Sequence, residues 1–68
     1  MGRPYETKEM REFEPILKYN GYYKIRTKGS HHTYSNGHNQ ITVNIRLNGK
    51  VRLRLIKENN LVVKKKGN

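Results

Sequence analysis

The spacing of apolar residues changes at Gly21, and this change constrains the fold more than any other feature of the sequence. Before it, apolar residues recur at helical spacing, at Met10, Phe13 and Leu17. Thr7 precedes them and is a residue type that caps helix N-termini. After Gly21, apolar and polar residues alternate, which is typical of strands with one covered face. A helix followed by strands predicts an α+β fold.

The first predicted element is a helix from Lys8 to about Tyr19. Pro15 falls inside it, where proline removes a backbone hydrogen bond and costs about 3 kcal/mol in a regular helix interior. We therefore expect a helix that is kinked at Pro15 or begins late. Gly21 can adopt the left-handed conformation that closes a helix.

Three short strands are predicted to follow the helix, at residues 22–27, 31–35 and 40–46. A glycine-containing break at 28–30 separates the first two strands. An Asn-Gly pair at 36–37, a strong hairpin signal, separates the last two.

Alternation along the third strand assigns the two faces of the sheet. Its aliphatic residues point to the covered side: Ile41, Val43 and Ile45. The residues between them point to water: Thr42, Asn44 and Arg46.

The same alternation assigns faces to the first two strands. Four residues are expected on the covered side: Tyr23, Ile25, His32 and Tyr34. The residues next to them are expected on the open side: Lys24, Arg26, His31 and Thr33. Together with Arg46, they give the open face a group of cations near His31.

Residues 50–59 fit two structures that imply different folds. As a strand, the segment would pair with residues 40–46 across a turn at 48–49. Its many Leu, Arg, Lys and Glu residues favour a helix instead. The Asn59-Asn60 pair could then end that helix in the left-handed conformation, after which Leu61 would fold back on it. The residues alone leave this choice open.

The net charge of +10 on 68 residues, from 15 Lys and Arg against 5 Asp and Glu, predicts an anionic partner. Solubility of a small domain needs a net charge of only about 2–8. Nucleic acid or an acidic protein fits better than a membrane, because the basic residues do not lie opposite a bulky apolar helix face. So short a chain has a thin core, and any site must lie on an open surface.

The sequence contains no cysteine, and neither an apolar run of membrane-spanning length nor a signal-peptide pattern is present. We therefore expect a cytoplasmic protein. Its expected organisation is a loose arm at residues 1–6, one folded domain at 7–63 and a basic tail at 64–68.

Asn-Gly-Tyr at residues 20–22, followed by Lys-Gly-Ser-His-His at 28–32 and by Tyr34, resembles the signature of the HicA family of mRNA interferase toxins. Residues 54–61 are similar to the closing helix of that family. The resemblance implies the αβββα arrangement of double-stranded-RNA-binding domains, with two helices on one face of a three-stranded antiparallel sheet. It also favours the helical structure of the ambiguous segment.

The resemblance further implies that the protein cleaves mRNA, that its catalytic residue is His31, and that a cognate HicB-type antitoxin covers that site. Residues expected to bind the RNA phosphate surround it: Lys24, Arg26, Lys28, Gly29, Ser30 and Arg46. Because RNA carries its own nucleophile, the 2′-OH, we expect neither a metal nor another cofactor. A non-catalytic RNA-binding module of the same fold is the alternative.

Overall fold

The computed structural model describes residues 6–63, which form a helix, three strands and a second helix. The elements are α1 (Lys8–Tyr19), β1 (Tyr23–Lys28), β2 (His31–Ser35), β3 (Gln40–Asn44) and α2 (Gly49–Glu58). The strands form one antiparallel sheet with β2 in the centre. The predicted αβββα order is therefore confirmed. The predicted tail at 64–68, and the predicted arm except for its last residue, lie outside the described residues.

Helix α1 begins at Lys8 because Thr7 caps it: the Thr7 hydroxyl accepts a hydrogen bond from the Met10 amide (3.2 Å). The helix continues through Pro15, so the expected late start is wrong. Pro15 has no N–H, so the Arg11 carbonyl, four residues earlier, receives no helical hydrogen bond. Both residues lie on the exposed side of the helix. Water can therefore bond to that carbonyl, and the proline is tolerated.

The end of α1 is closed by Gly21, whose φ of 85° is the predicted left-handed conformation. The Tyr22 amide donates back to the Leu17 carbonyl (2.9 Å), which is the closing bond of a Schellman motif. The Asn20 side chain then joins this end to the segment after α2. It donates to the Val62 carbonyl (2.9 Å) and accepts from the Val62 amide (2.8 Å).

The segment that the residues left ambiguous is helix α2, and the strand alternative is wrong. Asn48 caps it, with its side-chain oxygen accepting from the Val51 amide (2.9 Å). Asn60, with φ of 52°, occupies the left-handed position after the helix. The Leu61 amide donates back to the Ile56 carbonyl (2.9 Å), and the Leu61 side chain is buried. The predicted closure by Asn60 and Leu61 is confirmed.

The core lies between the helices and one face of the sheet. Its buried apolar residues are Met10, Phe13, Leu17, Tyr22, Tyr34, Ile41, Val43, Leu47 and Leu61. α1 contributes three fully buried side chains, whereas the apolar residues of α2 are only partly buried: Val51, Leu55 and Ile56. α1 is thus the main cover of the sheet. Neither described helix is long and apolar enough to cross a membrane.

Strand β3 ends at Asn44, two residues before the predicted end. The Asn44 side chain accepts a hydrogen bond from the Arg46 amide (2.8 Å), which turns the chain away from the sheet. Ile45 and Arg46 therefore lie in a turn, and Ile45 is only half-buried. Their predicted alternation as strand residues is wrong.

Strand β1 is irregular because Ile25 is an extra residue, a β-bulge. The register pairs Lys24 with Tyr34, and it pairs Arg26 with Thr33. Residues directly opposite each other in an antiparallel pair share a face of the sheet. Lys24 therefore lies on the helix side, and Arg26 lies on the open side.

The bulge reverses two predicted orientations in β1. Lys24 was expected on the open face and lies on the covered side, at the exposed edge of the sheet. Tyr23 was expected inward but pairs with Ser35 on the open face and is 60% exposed. Ile25 itself is 51% exposed. Strict alternation assumes a regular strand, and one inserted residue changes the face of everything before it.

Candidate active site

His31 is the first residue of β2 and lies at one end of the open face. It pairs with Lys28 of β1 on one side and with Asn44 of β3 on the other. Its side chain is exposed and forms no hydrogen bond or ion pair with any other residue in the described range 6–63. Both ring nitrogens are therefore accessible to a ligand.

The tight turn before His31 depends on Gly29. It is the first of two residues between the paired Lys28 and His31, and its φ is 58°. A side chain would have open space there, so the backbone conformation and not crowding favours glycine. The Ser30 carbonyl accepts a hydrogen bond from the Ile45 amide (2.8 Å), which fixes the turn against the segment after β3.

The same segment also holds the start of α1. The Thr7 amide donates to the Ile45 carbonyl (2.9 Å), and the Thr7 hydroxyl donates to the Leu47 carbonyl (2.6 Å). One short stretch of chain thus connects the first turn of α1 with the turn that precedes His31. This network positions the His31 end of the sheet.

His32 points to the opposite face from His31, as predicted, and is buried. Its Nδ1 lies 3.0 Å from the Thr27 hydroxyl, and its Nε2 lies 3.8 Å from a carboxylate oxygen of Glu6. The ring also meets the Tyr34 ring edge-on, with centroids 6.3 Å apart. The Glu6 carboxylate is itself almost buried. His32 is therefore part of the packing beneath the sheet and is not accessible to a ligand on the open face.

A shallow open depression of about 650 Å³ surrounds His31. Its lining residues are Arg26, Lys28, Gly29, Ser30, His31, Thr33 and Thr42. Five of the seven predicted site residues therefore lie together. Lys24 is absent because the bulge places it on the helix side. Arg46 instead borders a separate groove of about 300 Å³ between β3 and α2.

Thr33 and Thr42 complete the depression and were not among the predicted site residues. Their hydroxyl oxygens lie 3.2 Å apart, across the β2–β3 pair. Thr33 is only 6% exposed although it faces the open side, because it lies on the central strand. Alternation predicts both residues on the open face, and this is the sequence pattern that could have identified them as part of the site. They carry no charge, and a pattern of basic residues does not identify them as phosphate ligands.

Positive charge on the open face is not balanced by acidic residues. The five acidic residues of the chain lie near its two ends: Glu6, Glu9, Glu12, Glu14 and Glu58. Four of them contact partners on the helical side: Glu6 with His32 (3.8 Å), Glu12 with Arg52 (3.3 Å), Glu14 with the Tyr34 hydroxyl (3.0 Å) and Glu58 with Arg54 (3.8 Å). The three strands carry none, so Arg26 and Lys28 have no carboxylate beside them on the sheet.

The side chains of the depression are suited to a phosphate ligand. Arg26 and Lys28 supply positive charge, and Thr33 and Thr42 supply hydroxyl groups. The His31 imidazole is a side chain that can act as a general base or a general acid. Among residues 6–63, three or more His, Asp or Glu side chains do not cluster anywhere in a way that could hold a metal ion. The arrangement can therefore bind a phosphodiester and move a proton beside it.

Comparison with known proteins gives one match. The family model described as HicA toxin of bacterial toxin-antitoxin matches residues 10–58, which is more than half of the 68-residue chain. The matched range includes the whole lining of the depression. No curated protein and no solved structure matches the chain.

Proposed function

The chain belongs to the HicA toxin family of bacterial toxin-antitoxin systems, and from this we propose that it is an endoribonuclease that cleaves mRNA with His31 as its catalytic residue. The observation that carries the proposal is the position of His31. It is the exposed imidazole of the open face, in a depression that also holds Arg26 and Lys28. A surface that only bound RNA would be served as well by a lysine or an arginine at that position.

In the proposed reaction, the neutral His31 imidazole removes the proton of a ribose 2′-OH. The freed oxygen attacks the adjacent phosphorus, and the bond from phosphorus to the 5′ oxygen breaks. The leaving 5′ oxygen takes a proton from solvent water, and the protonated His31 returns the proton that it removed to solvent. The products are a 2′,3′-cyclic phosphate and a 5′-hydroxyl end. Arg26 and Lys28 hold the phosphate and stabilise the charge that develops on it. The nucleophile comes from the RNA itself, so the reaction requires no metal.

The antitoxin partner, which family membership implies, is proposed to be a HicB-type protein that covers the depression. The supporting observation is the charge distribution, because an acidic protein surface would complement an open face that carries Arg26 and Lys28 and no acidic residue. We propose that both the toxin and this partner act in the cytoplasm.

The direct test is RNA cleavage by His31→Ala compared with His38→Ala, which removes another exposed histidine in the loop between β2 and β3. His31→Ala should lower the cleavage rate by about 10²- to 10⁴-fold, the usual contribution of a general base. His38→Ala should cleave as fast as the wild type. The reaction is run in EDTA, and the product ends are mapped for a 2′,3′-cyclic phosphate.

Induction in cells extends the test, since growth arrest should require an intact His31 and should not require His38. A folded His31→Ala protein that binds RNA and cleaves it at the wild-type rate would contradict the assignment. RNA binding without cleavage by the wild type would instead indicate the non-catalytic binding module.

A further inference from the structure

Tyr23 is an exposed aromatic residue on the open face that the proposed reaction does not use. It is 60% exposed and lies opposite Ser35, whose alternation with Tyr34 places it on the same face as His31. Within residues 6–63 the Tyr23 side chain forms no hydrogen bond, ion pair or ring contact. Its ring is therefore available to a ligand that lies across the sheet.

The bulge in β1 is the reason that Tyr23 lies on this face. In a regular strand, Tyr23 and Arg26 are three residues apart and would point to opposite faces. The extra residue Ile25 brings both to the open side. Bulges often redirect a side chain next to a functional site. Here the redirected side chain is aromatic and joins the row of β1 residues that continues through Arg26 to Lys28.

The distance between Tyr23 and His31 suits a ligand longer than one phosphate group. Tyr23 pairs with Ser35, which is four residues from His31 along β2, so the two sites are separated by about 13 Å at the usual rise of a strand. Arg26 lies between them, opposite Thr33. The open face thus carries a proton-transfer group at one end, a cation in the middle and an aromatic ring at the other end.

We propose that the RNA crosses this face as a single strand and that Tyr23 stacks on one of its bases, a few nucleotides from the phosphate at His31. Unpaired bases can be splayed out and stacked on aromatic side chains, while the paired bases of a duplex are not available for this. The stacking is tolerant of sequence, because every base has a π-face. The inference rests on the proposed function, since it assumes that the open face binds RNA.

The experiment measures binding of the His31→Ala protein to a short unstructured RNA and to an RNA duplex of the same strand length. Using His31→Ala prevents cleavage during the measurement. Tyr23→Ala is added to this protein, and Tyr19→Ala is the matched control. Tyr19 is a tyrosine of similar exposure (57%) at the end of α1, on the helical side. Tyr23→Phe is the conservative variant, because it keeps the aromatic ring.

Single-stranded RNA should bind more tightly than the duplex. Tyr23→Ala should weaken single-strand binding about 5- to 100-fold, which is the usual effect of removing one stacking ring. Tyr23→Phe and Tyr19→Ala should bind like the parent. Equal or tighter binding of the duplex, or no effect of Tyr23→Ala, would overturn the inference even if the wild type cleaves RNA. Conversely, loss of binding in Tyr23→Ala would support the inference even if the wild type proved to be catalytically inactive.

Discussion

The two faces of the sheet differ most clearly at the start of β2, where two consecutive histidines point in opposite directions. His32 is buried, next to Thr27, Glu6 and Tyr34. His31 is exposed between Lys28 and Asn44 and has no partner within residues 6–63. Of these two adjacent histidines, His32 is surrounded by protein and His31 faces solvent.

This difference indicates that the covered face stabilises the fold and that the open face serves the proposed activity. The covered face joins the helices to the strands through buried apolar side chains, and its polar atoms lie close to polar partners. The open face carries cations and hydroxyl groups that contribute little to the core. Substitutions on the covered face should change the free energy of unfolding, and those on the open face should change interactions with RNA.

The largest expected effect on stability is at Phe13, which α1 buries completely against the sheet. Phe13→Ala should lower the free energy of unfolding by about 3–5 kcal/mol, through lost burial and the cavity left behind. A domain of this size has a total stability of about 3–10 kcal/mol, so much of the variant should be unfolded. Tyr23→Ala truncates an aromatic side chain on the open face and should cost less than about 1 kcal/mol. Urea denaturation of both variants measures the contrast, and equal losses would show that the faces do not differ as described.

The histidine pair provides a smaller and more specific contrast. His32→Ala should cost about 1–3 kcal/mol in urea denaturation, because it removes a buried ring that meets Tyr34 edge-on and lies beside the Thr27 hydroxyl and the nearly buried Glu6 carboxylate. His31→Ala should change stability by less than about 0.5 kcal/mol. Cleavage should show the reverse order, with the folded fraction of His32→Ala remaining active. If His31→Ala proved the less stable of the two, the assignment of His31 to the open face would be wrong.

Much of this fold could be predicted from local signals in the sequence. The cap at Thr7, the glycine closure at Gly21 and the closure at Asn60 depend on neighbouring residues and on backbone conformation, and all three are confirmed. For residues 50–59, alternation and residue type disagree, so the residues alone leave strand and helix open and the family resemblance favours the helix. The structure gives a helix at Gly49–Glu58, capped by Asn48, and within residues 6–63 the sheet contains only β1, β2 and β3.

The candidate site was predictable only where the strands are regular. Alternation placed His31 and Arg26 on the open face, and the structure agrees. It failed for Lys24 and Tyr23, because the position of a bulge depends on how β1 pairs with β2 and leaves no periodic signal in the sequence. Alternation also placed Arg46 in the third strand, which is wrong. β3 ends at Asn44, where the hydrogen bond from the Arg46 amide to the Asn44 side chain turns the chain and interrupts the alternation.

The smallest expected effect separates two lysines of the same strand. Lys28 pairs with His31 on the open face, while the bulge places Lys24 on the helix side. Lys28→Gln and Lys24→Gln each lower the net charge by one, so a difference between them reports position and not total charge. The measurement is the dependence of single-stranded RNA binding on salt, made in the His31→Ala protein. Lys28→Gln should reduce the slope of log K against log salt by about 0.7, the value for one lost phosphate contact. Lys24→Gln should leave the slope close to that of the parent. Equal slopes for the two variants would mean that RNA responds only to overall charge, and a larger change for Lys24→Gln would mean that RNA approaches the helical side of the sheet.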